Sequence, residues 1–302
     1  MKFSGIWTPA KVRLFISLGI LLIVVSGVVL VYHQKTEGIK RSLKSFYAQI
    51  ASFDFGYKSS YNPAKTRTAK ADGMVEIYVP SGEFLMGANE SSFPASYPEH
   101  RVYLDAFWID KTEVSNSMYD RCVQAGGCHY NYARPGYNPN YNNPLYANYP
   151  VTYVTWQDAY NYCQWAGRRL PTEAEWEKAA RGTSAQYYPW GDALPDPSIL
   201  NFDNNIRTTV SVDRYPRGAS PYGVLNMEGN VREWVADWFN PAYYENSPYR
   251  NPKGPSHGNT RSLRGGSYVD NARQVLVFVR FRHNPTSAGA NRGFRCSEST
   301  AQ

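Results

Sequence analysis

The chain has 302 residues, of which 42% are hydrophobic and 15% aromatic, enough for one sizeable globular domain or two small ones. Glycine (23) and proline (20) are frequent, which indicates many loops and short strands and argues against a helical bundle. The formal net charge is +7, but residues 1–73 hold 11 of the 32 Lys and Arg residues and 3 of the 25 Asp and Glu residues. Residues 74–302 are therefore almost neutral, and binding to nucleic acid has no electrostatic support.

Residues 14–32, LFISLGILLIVVSGVVLVY, contain no charged side chain and follow a short N-terminal tail, residues 1–13. As a helix, the run is long enough to cross a hydrocarbon core of about 30 Å. A cleaved signal peptide is the alternative, but the run is long for one and no small-x-small cleavage site follows it. We therefore predict one N-terminal transmembrane helix that stays attached to the rest of the chain.

Basic residues flank this run on both sides, so the positive-inside rule does not decide its orientation. The chain has four cysteines, and an even number behind a membrane anchor is typical of two disulfides in an oxidising compartment. The alternative is four reduced thiols in a cytosolic domain. We expect a single-pass membrane protein with an extracytoplasmic globular domain and basic flanks near anionic lipid headgroups.

Residues 33–73 are predicted to form a juxtamembrane helix and a linker. Apolar residues recur there at heptad spacing, at Ile39, Leu43, Phe46, Ile50 and Phe53. A short coiled coil would make the protein a homo-oligomer, but two heptads are few. We favour a helix that continues out of the membrane or packs on the domain. Residues 56–73 are polar and contain Gly, Pro, Ser and Lys, as linkers do.

The globular domain is predicted over residues 74–297, followed by a short tail, residues 298–302. MVEIYVPSGEFLMGA indicates two short strands joined at residues 80–82, and HRVYLDAFWIDKTEVS indicates one more strand before a helix near residues 115–124. Two further helices have clear start signals. Thr155 can cap TWQDAYNYCQWAG, and PTEAEWEKAARG begins with the capping box S/T-x-x-E. Later elements should be short, apart from a final strand in RGGSYVDNARQVLVFVRFRH.

The cysteines suit two structural pairs. Cys122 and Cys128 would close a small local loop, whereas Cys163 on a predicted helix and Cys296 near the C-terminus would close a long one. No C-x-x-C redox pair occurs.

The segment CHYNYARPGYNPNYNNPLYANYP is unusually rich in Tyr, Asn and Pro. Tyrosine and asparagine are good contact residues, because they combine amphipathic area with adaptable hydrogen bonds. We therefore consider a binding surface made by Tyr130, Tyr132, Tyr137, Tyr141 and Tyr146. The alternative is a long surface loop that packs on its own rings.

The usual catalytic arrangements are missing: there is no P-loop, no G-x-S-x-G and no H-E-x-x-H, and the five histidines have no metal-ligand spacing. NMEGNVREW is more informative, because it places the side chains of Asn226 and Glu233 and the carbonyls of Gly229 and Val231 in one tight turn. Hard oxygen ligands clustered in this way suit Ca²⁺. The alternative is a plain loop that enters a Trp-anchored segment.

Several motifs occur in a fixed order: GEFLMGA, AFWIDKTEVSNSMYDRCV, YPVTYVTWQDAYNYCQWAGRRLPTEAEWEKAARG, YPWGD, YGVLNMEGNVREWVADW, RGGSY and NRGFRC. Over residues 74–297 the chain resembles the formylglycine-generating enzyme family, also called sulfatase-modifying factor. The resemblance implies an α+β domain with little regular structure, related to the C-type lectin fold. It also implies calcium at Asn226, Gly229, Val231 and Glu233, a second calcium at Asn201 and Phe202, and a disulfide between Cys163 and Cys296.

True formylglycine-generating enzymes oxidise a sulfatase cysteine to formylglycine with copper and oxygen, whereas other members of the family act on other substrates. The resemblance implies that copper is held by two cysteines in G-G-S-Y-x-C-x4-C, and soft thiolates suit Cu(I). In this chain the turn carries Ser267, and the two cysteine positions are Asp270 and Val275. Valine has no ligand atom and a carboxylate is a poor Cu(I) ligand, so we expect the fold without copper and without the known catalytic site.

Three functions follow, of which we favour the first. The domain would be a non-catalytic module that binds a protein, peptide or glycan. Alternatively, it would be an oxidoreductase of the same family with altered chemistry, for which the nearby acid–base candidates are Asp270, Arg280, Arg282 and His283. The third alternative is a structural or assembly component built on the anchor.

Overall fold

The computed structural model describes residues 65–130 and 138–300, which belong to one compact unit, residues 63–302. The predicted membrane segment, the heptad positions and the side chains of Tyr132 and Tyr137 lie outside the described residues. Within the described ranges, we find no helix whose length and hydrophobicity would let it span a membrane.

Three α-helices and ten short β-strands, with four short 3-10 helices between them, make up the regular structure of the described residues. The helices are α1 (Asn116–Gln124), α2 (Trp156–Trp165) and α3 (Glu173–Arg181). The strands are β1 (Thr66–Thr68), β2 (Val75–Val79), β3 (Gly82–Met86), β4 (His100–Leu104), β5 (Phe107–Asp110), β6 (Arg232–Trp238), β7 (Arg261–Arg264), β8 (Phe281–His283), β9 (Arg292–Phe294) and β10 (Ser297–Ser299). The predicted α+β class with little regular structure is confirmed.

The strands form three sheets. One has the order β1-β2-β5-β10 and is antiparallel throughout, and a second is the hairpin β3-β4. The third has the order β8-β7-β6-β9, in which β6 and β9 run parallel although they are far apart in sequence. This third sheet carries the segments of greatest functional interest, because NMEGNV leads into β6 and the Gly-Gly turn follows β7.

The helix boundaries follow from local chemistry, and the predicted caps at Thr155 and Thr172 are confirmed. Ser115 caps α1, and full capping boxes begin the other two helices, made by Thr155 with Asp158 and by Thr172 with Glu175. Each side-chain oxygen accepts from a backbone N–H that has no partner inside the helix. These caps fix where the helices start.

The strands depart from the sequence expectations in four places. The predicted linker contains β1, which pairs with β2, and β10 extends past the predicted domain end. The single strand expected over residues 100–110 is two strands, β4 and β5, in different sheets. The long final strand is confined to β8, and residues 275–280 are buried turns and extended backbone. A strand exists only where a partner strand pairs with it, and hydrophobic alternation does not show that partner.

The core consists of two large apolar clusters and a smaller third one. The first packs α3, with Trp176 at its centre, against β2–β6, and the second joins α1 and α2 to β6, β7 and β9. Ion pairs are buried beside these clusters: Arg264 contacts both Glu173 and Glu177, and Arg295 contacts Glu233. Removal of one partner from such a pair strongly lowers the stability of the fold, because the other charge is left buried without a partner.

Candidate functional site

The Gly-Gly turn after β7 is held against the NMEGN loop. Gly265 and Gly266 have φ angles of +93° and +63°, and a Cβ atom on Gly266 would lie 2.8 Å from Cγ1 of Val275. The N–H of Gly229 donates to the carbonyl of Gly265 at 2.8 Å, and the N–H of Tyr268 donates to the carbonyl of Asn230 at 3.0 Å. Glycine is required at this turn for both its backbone conformation and its close packing.

Asp270 lies one turn further along and is buried, with 3% of its surface exposed. The guanidinium of Arg232 donates to both carboxylate oxygens, with Nε at 2.9 Å from Oδ2. The hydroxyl of Ser267 also donates to Oδ2, at 2.6 Å. Arg232 in turn lies 4.0 Å from the ring centre of Phe281. The carboxylate is therefore bound by three protein donors.

Val275 is fully buried in the third apolar cluster, where it packs with Tyr188, Leu200 and Phe202. It provides no donor atom and has no access to solvent. The Cys122–Cys128 and Cys163–Cys296 disulfides are both formed, which confirms the predicted pairing and uses all four cysteines. These residues do not fit a thiolate copper site, because the two positions hold a paired carboxylate and an apolar side chain.

The first predicted calcium set is brought together in part. Asn226 and Glu233 belong to one buried polar cluster around Arg295, whose Nε and Nη2 each donate to a Glu233 carboxylate oxygen at 2.7 Å. Trp176 donates to the same carboxylate at 2.9 Å. A cation here would have to share Glu233 with Arg295, so this donor set does not fit calcium as it stands.

The second predicted set contains a better candidate oxygen. Asn201 is buried, and its amide nitrogen donates to the carbonyl of Thr208 at 2.8 Å. Its Oδ1 atom is buried without a hydrogen-bond partner in the structure. An orphaned amide oxygen fits a hard cation such as Ca²⁺. Phe202, the other predicted ligand, is buried beside it.

Sequence reasoning missed two buried carboxyl groups in this region. Glu113 accepts from the amides of Asn226 and Asn230 at 2.9 and 2.8 Å, and burial raises its pKa to about 7. Glu228 is buried with no hydrogen-bond partner for either carboxylate oxygen, and burial raises its pKa well above the ordinary value. Glu113 could not be found from spacing because it is contributed by the segment after β5, over a hundred residues away.

Two of the five tyrosines of the predicted binding surface are buried. Tyr130 and Tyr141 are buried, stack with ring centres 3.8 Å apart, and pack against Tyr119. For these two residues the prediction is wrong, and the alternative of a segment that packs on its own rings describes them. Tyr146 is half-buried and tilts against Tyr149 at 4.8 Å.

The acid–base candidates do not form one constellation. Arg280 is buried and donates to both oxygens of Glu173 at 2.8 and 2.9 Å. His283 is half-buried, and burial together with Arg292 lowers its pKa. Among the described residues, no hydrogen bond or ion pair joins any two of Asp270, Arg280, Arg282 and His283. Arg280 and Asp270 have structural partners instead.

Comparison with known proteins agrees with the fold and its motifs. Residues 60–300 match the model of the sulfatase-modifying factor enzyme 1-like domain. The chain is 35% identical to a formylglycine-generating enzyme of Streptomyces coelicolor over 280 residues, covering 74% of this chain and 88% of that protein. It is 32% identical to a hercynine oxygenase of Mycolicibacterium smegmatis, covering 64% of this chain and 54% of that protein.

Among solved structures, PvdO from Pseudomonas aeruginosa superimposes with a TM-score of 0.68 at 24% identity, over 79% of this chain and 99% of that one. This likeness concerns the fold. The family model covers most of the chain and its described strands and helices. The chain therefore belongs to the formylglycine-generating enzyme, or sulfatase-modifying factor, family.

Proposed function

We propose that the protein is a membrane-anchored, extracytoplasmic member of this family that has no copper-dependent cysteine oxidase activity and binds a protein, peptide or glycan. The observation that carries the proposal is the environment of Asp270. Its carboxylate is buried and bound by Arg232 and Ser267, at a position where the family resemblance implies a copper-binding thiolate. The frame of the site is retained while its reactive group is replaced by a structural ion pair.

The ligand of this module would contact the face beside the Gly-Gly turn. Val269, between Tyr268 and Asp270, is 38% exposed and offers an apolar contact at the mouth of the frame. Tyr146, which is half-buried, is the remaining described candidate from the Tyr-rich segment, and Tyr132 and Tyr137 lie outside the described residues. Partly exposed tyrosines favour peptide or sugar contacts, because a flat apolar ring lies next to a hydroxyl group.

Two disulfides support the extracytoplasmic location, because such bonds persist in oxidising compartments. The uncharged run at residues 14–32 supports the anchor. A labelling experiment in intact cells tests the topology: a membrane-impermeant reagent should modify a cysteine introduced at exposed Leu194 of the domain. Labelling only after the membrane is permeabilised would show that the domain is cytoplasmic.

A peptide assay tests the loss of oxidase activity. The full-length protein is incubated with a C-x-P-x-R peptide, copper and oxygen, and the product is measured by mass spectrometry. The formylglycine-generating enzyme of Streptomyces coelicolor is the positive control. We expect no aldehyde from this protein, and turnover of the peptide would refute the proposal.

Altered chemistry in the same family is the second candidate function, because one relative is named as a hercynine oxygenase. In this candidate His283 or Asp270 would serve as an acid or base. If an activity is found, Asp270→Asn and His283→Gln variants should abolish it, and unchanged turnover in both variants would eliminate this candidate.

A structural role that depends on the anchor would instead require the full-length protein to be oligomeric in detergent.

A further inference from the structure

A cavity of about 920 Å³ lies away from the Gly-Gly turn, at the opposite end of β7. β7 begins at Arg261, which lines the cavity, and ends at Arg264, just before the turn. The start of α2 and residues 251–253 form other parts of the wall. A smaller cavity of about 510 Å³ adjoins it and shares Trp156 and Arg261. The two cavities form one groove with these two side chains at its middle.

The centre of the groove is a stack of aromatic rings around a cation. The guanidinium carbon of Arg261 lies 3.8 Å from the ring centre of Trp156 and 3.6 Å from that of Trp238. The β6–β7 register places Trp238 opposite Arg261. Trp156 is fixed by its indole N–H, which donates to the carbonyl of Val235 at 2.8 Å, and it stacks on Tyr160. These contacts hold the rings and the guanidinium in place before any ligand arrives.

The charges that line the cavity are not balanced. Of its two carboxylates, Asp105 is bound by Arg250 and Asn251, and Glu175 is bound by Arg169 at 2.6 and 2.7 Å. In the part of the chain that the structure describes, Arg261 has no carboxylate within ion-pair distance, and its Nε atom is buried without a hydrogen-bond partner. A second cation, Lys253, lines the same cavity and has no ion pair with a described residue.

The remaining lining combines flat rings with amide and hydroxyl groups. Trp156, Tyr160 and Tyr103 present aromatic surface, and Tyr160 is 38% exposed. The polar side chains among them include Ser81, Gln164, Asn251 and Thr300. Aromatic faces flanked by such groups suit a hydroxylated ring, since the ring stacks while its hydroxyls make hydrogen bonds.

We propose that this groove is a binding site for an acidic saccharide, with the ring of a uronate stacked on the exposed side of Tyr160 and its carboxylate bound by Arg261 and Lys253. Nη1 of Arg261 donates to the carbonyl of Ala236, and a ligand carboxylate would accept from the remaining N–H groups of the guanidinium through charge-assisted hydrogen bonds. The site is separate from the face beside Asp270, so it does not depend on the function proposed above.

Calorimetric titration of the full-length protein, in a detergent without a sugar headgroup, tests the site. The probes are a galacturonate trimer, its fully methyl-esterified form and indole-3-acetate. We expect the trimer to bind and the neutral ester to bind at least about tenfold more weakly, because a charge-assisted hydrogen bond is lost. Arg261→Gln should weaken trimer binding by about tenfold or more, and Lys253→Gln should weaken it severalfold.

Arg217→Gln is the matched control, since Arg217 is exposed and does not line either cavity; trimer affinity should stay unchanged in it. Lys253 is exposed, so its variant remains informative even if Arg261→Gln fails to fold. The proposal is overturned if the wild-type protein does not bind the trimer, if the ester binds equally well, or if Lys253→Gln binds as the wild type does. Tighter binding of indole-3-acetate than of the trimer would also overturn it, in favour of an aromatic acid.

Discussion

Asp270 is held by a buried ion pair inside the frame formed by the Gly-Gly turn and the NMEGN loop. Asp270 forms an ion pair with Arg232, and the hydroxyl of Ser267 donates a further hydrogen bond to the carboxylate. The same arrangement recurs at Glu233 with Arg295 and at Glu173 with Arg280. A carboxylate held in this way is an acceptor for fixed donors, and it has little capacity left for a metal or a proton.

Asp237 forms no ion pair with a described residue and should make stability depend on pH. Its carboxyl group accepts from the N–H of Glu173 at 2.8 Å, and burial, followed by the charge of Glu173, raises its pKa to about 8. The folded state therefore holds a proton that the unfolded state releases near pH 4. Stability conferred by this proton is present at low pH and is lost as the pH rises towards about 8.

We expect the free energy of unfolding of the wild-type protein to fall with rising pH across this window, by up to about 1.4 kcal/mol per pH unit from this group. Asp237→Asn cannot ionise and keeps an oxygen for the N–H of Glu173, so its profile should be flatter. Urea unfolding of both proteins at several pH values measures the difference. Parallel profiles would show that Asp237 is ionised in the folded state.

Helices and strands could be predicted from the sequence where the residues that fix them lie close together in the chain. The starts of α2 and α3 were predicted because a capping box lies within four residues of sequence. β1 was missed because its residues, TRT, have no apolar alternation and depend on β2 for their pairing. The partner of Asp270 was missed for the same reason, since Arg232 lies 38 residues away.

The segment before β2 should therefore be necessary for stability. Asp72 is buried there, accepts from Arg168, and accepts from the hydroxyl of Tyr162 at 2.7 Å. A chain that begins at residue 63 keeps these contacts, whereas one that begins at residue 74 leaves Arg168 with Asp110 alone. We expect the shorter chain to be less stable by at least about 3 kcal/mol in urea unfolding, because a buried pair loses one partner. Equal stability would restore the linker interpretation.

At the scale of the whole molecule, the long disulfide closes the domain. Cys163–Cys296 spans 133 residues and ties the segment between β9 and β10 to α2, whereas Cys122–Cys128 spans 6 residues. In the chain-entropy model, removal of the long bridge should cost about 5 kcal/mol and removal of the short one about 2 kcal/mol. Paired Cys→Ser variants measured by thermal unfolding test this order. A larger loss for the Cys122/Cys128 variant would contradict it.

We also predict that bound Ca²⁺ stabilises the folded domain. Asn201 has an orphaned buried Oδ1 atom, so a bound cation would stabilise the folded state by mass action. We expect a chelator of Ca²⁺ to lower the Tm of the wild-type protein by several degrees. This shift corresponds to a loss of about 1–2 kcal/mol in the free energy of unfolding for a domain of this size. Asn201→Ala should show no such shift. An unchanged wild-type Tm on chelation would remove calcium from the account.

The family fold was predictable as a whole because its motifs are long and specific, but the two cavities at the start of β7 were not. They are assembled from α2, β6, β7 and the 251–253 segment, which are far apart in sequence. No pattern in one of these segments indicates the others. The same limit applies to Glu113, which contacts the NMEGN loop from the distant segment after β5.

Copper affinity distinguishes a site that holds Asp270 and Val275 from one that holds two thiolates. Anaerobic titration with Cu(I), in competition with a chromophoric chelator, is carried out on the full-length protein and on its Asp270→Cys/Val275→Cys variant. We predict no stoichiometric thiolate site in the wild-type protein, because all four cysteines are in disulfides, and one such site in the variant. Asp270→Asn/Val275→Ala is the matched control and should resemble the wild type. Stoichiometric, thiolate-type binding of Cu(I) by the wild-type protein would contradict the account.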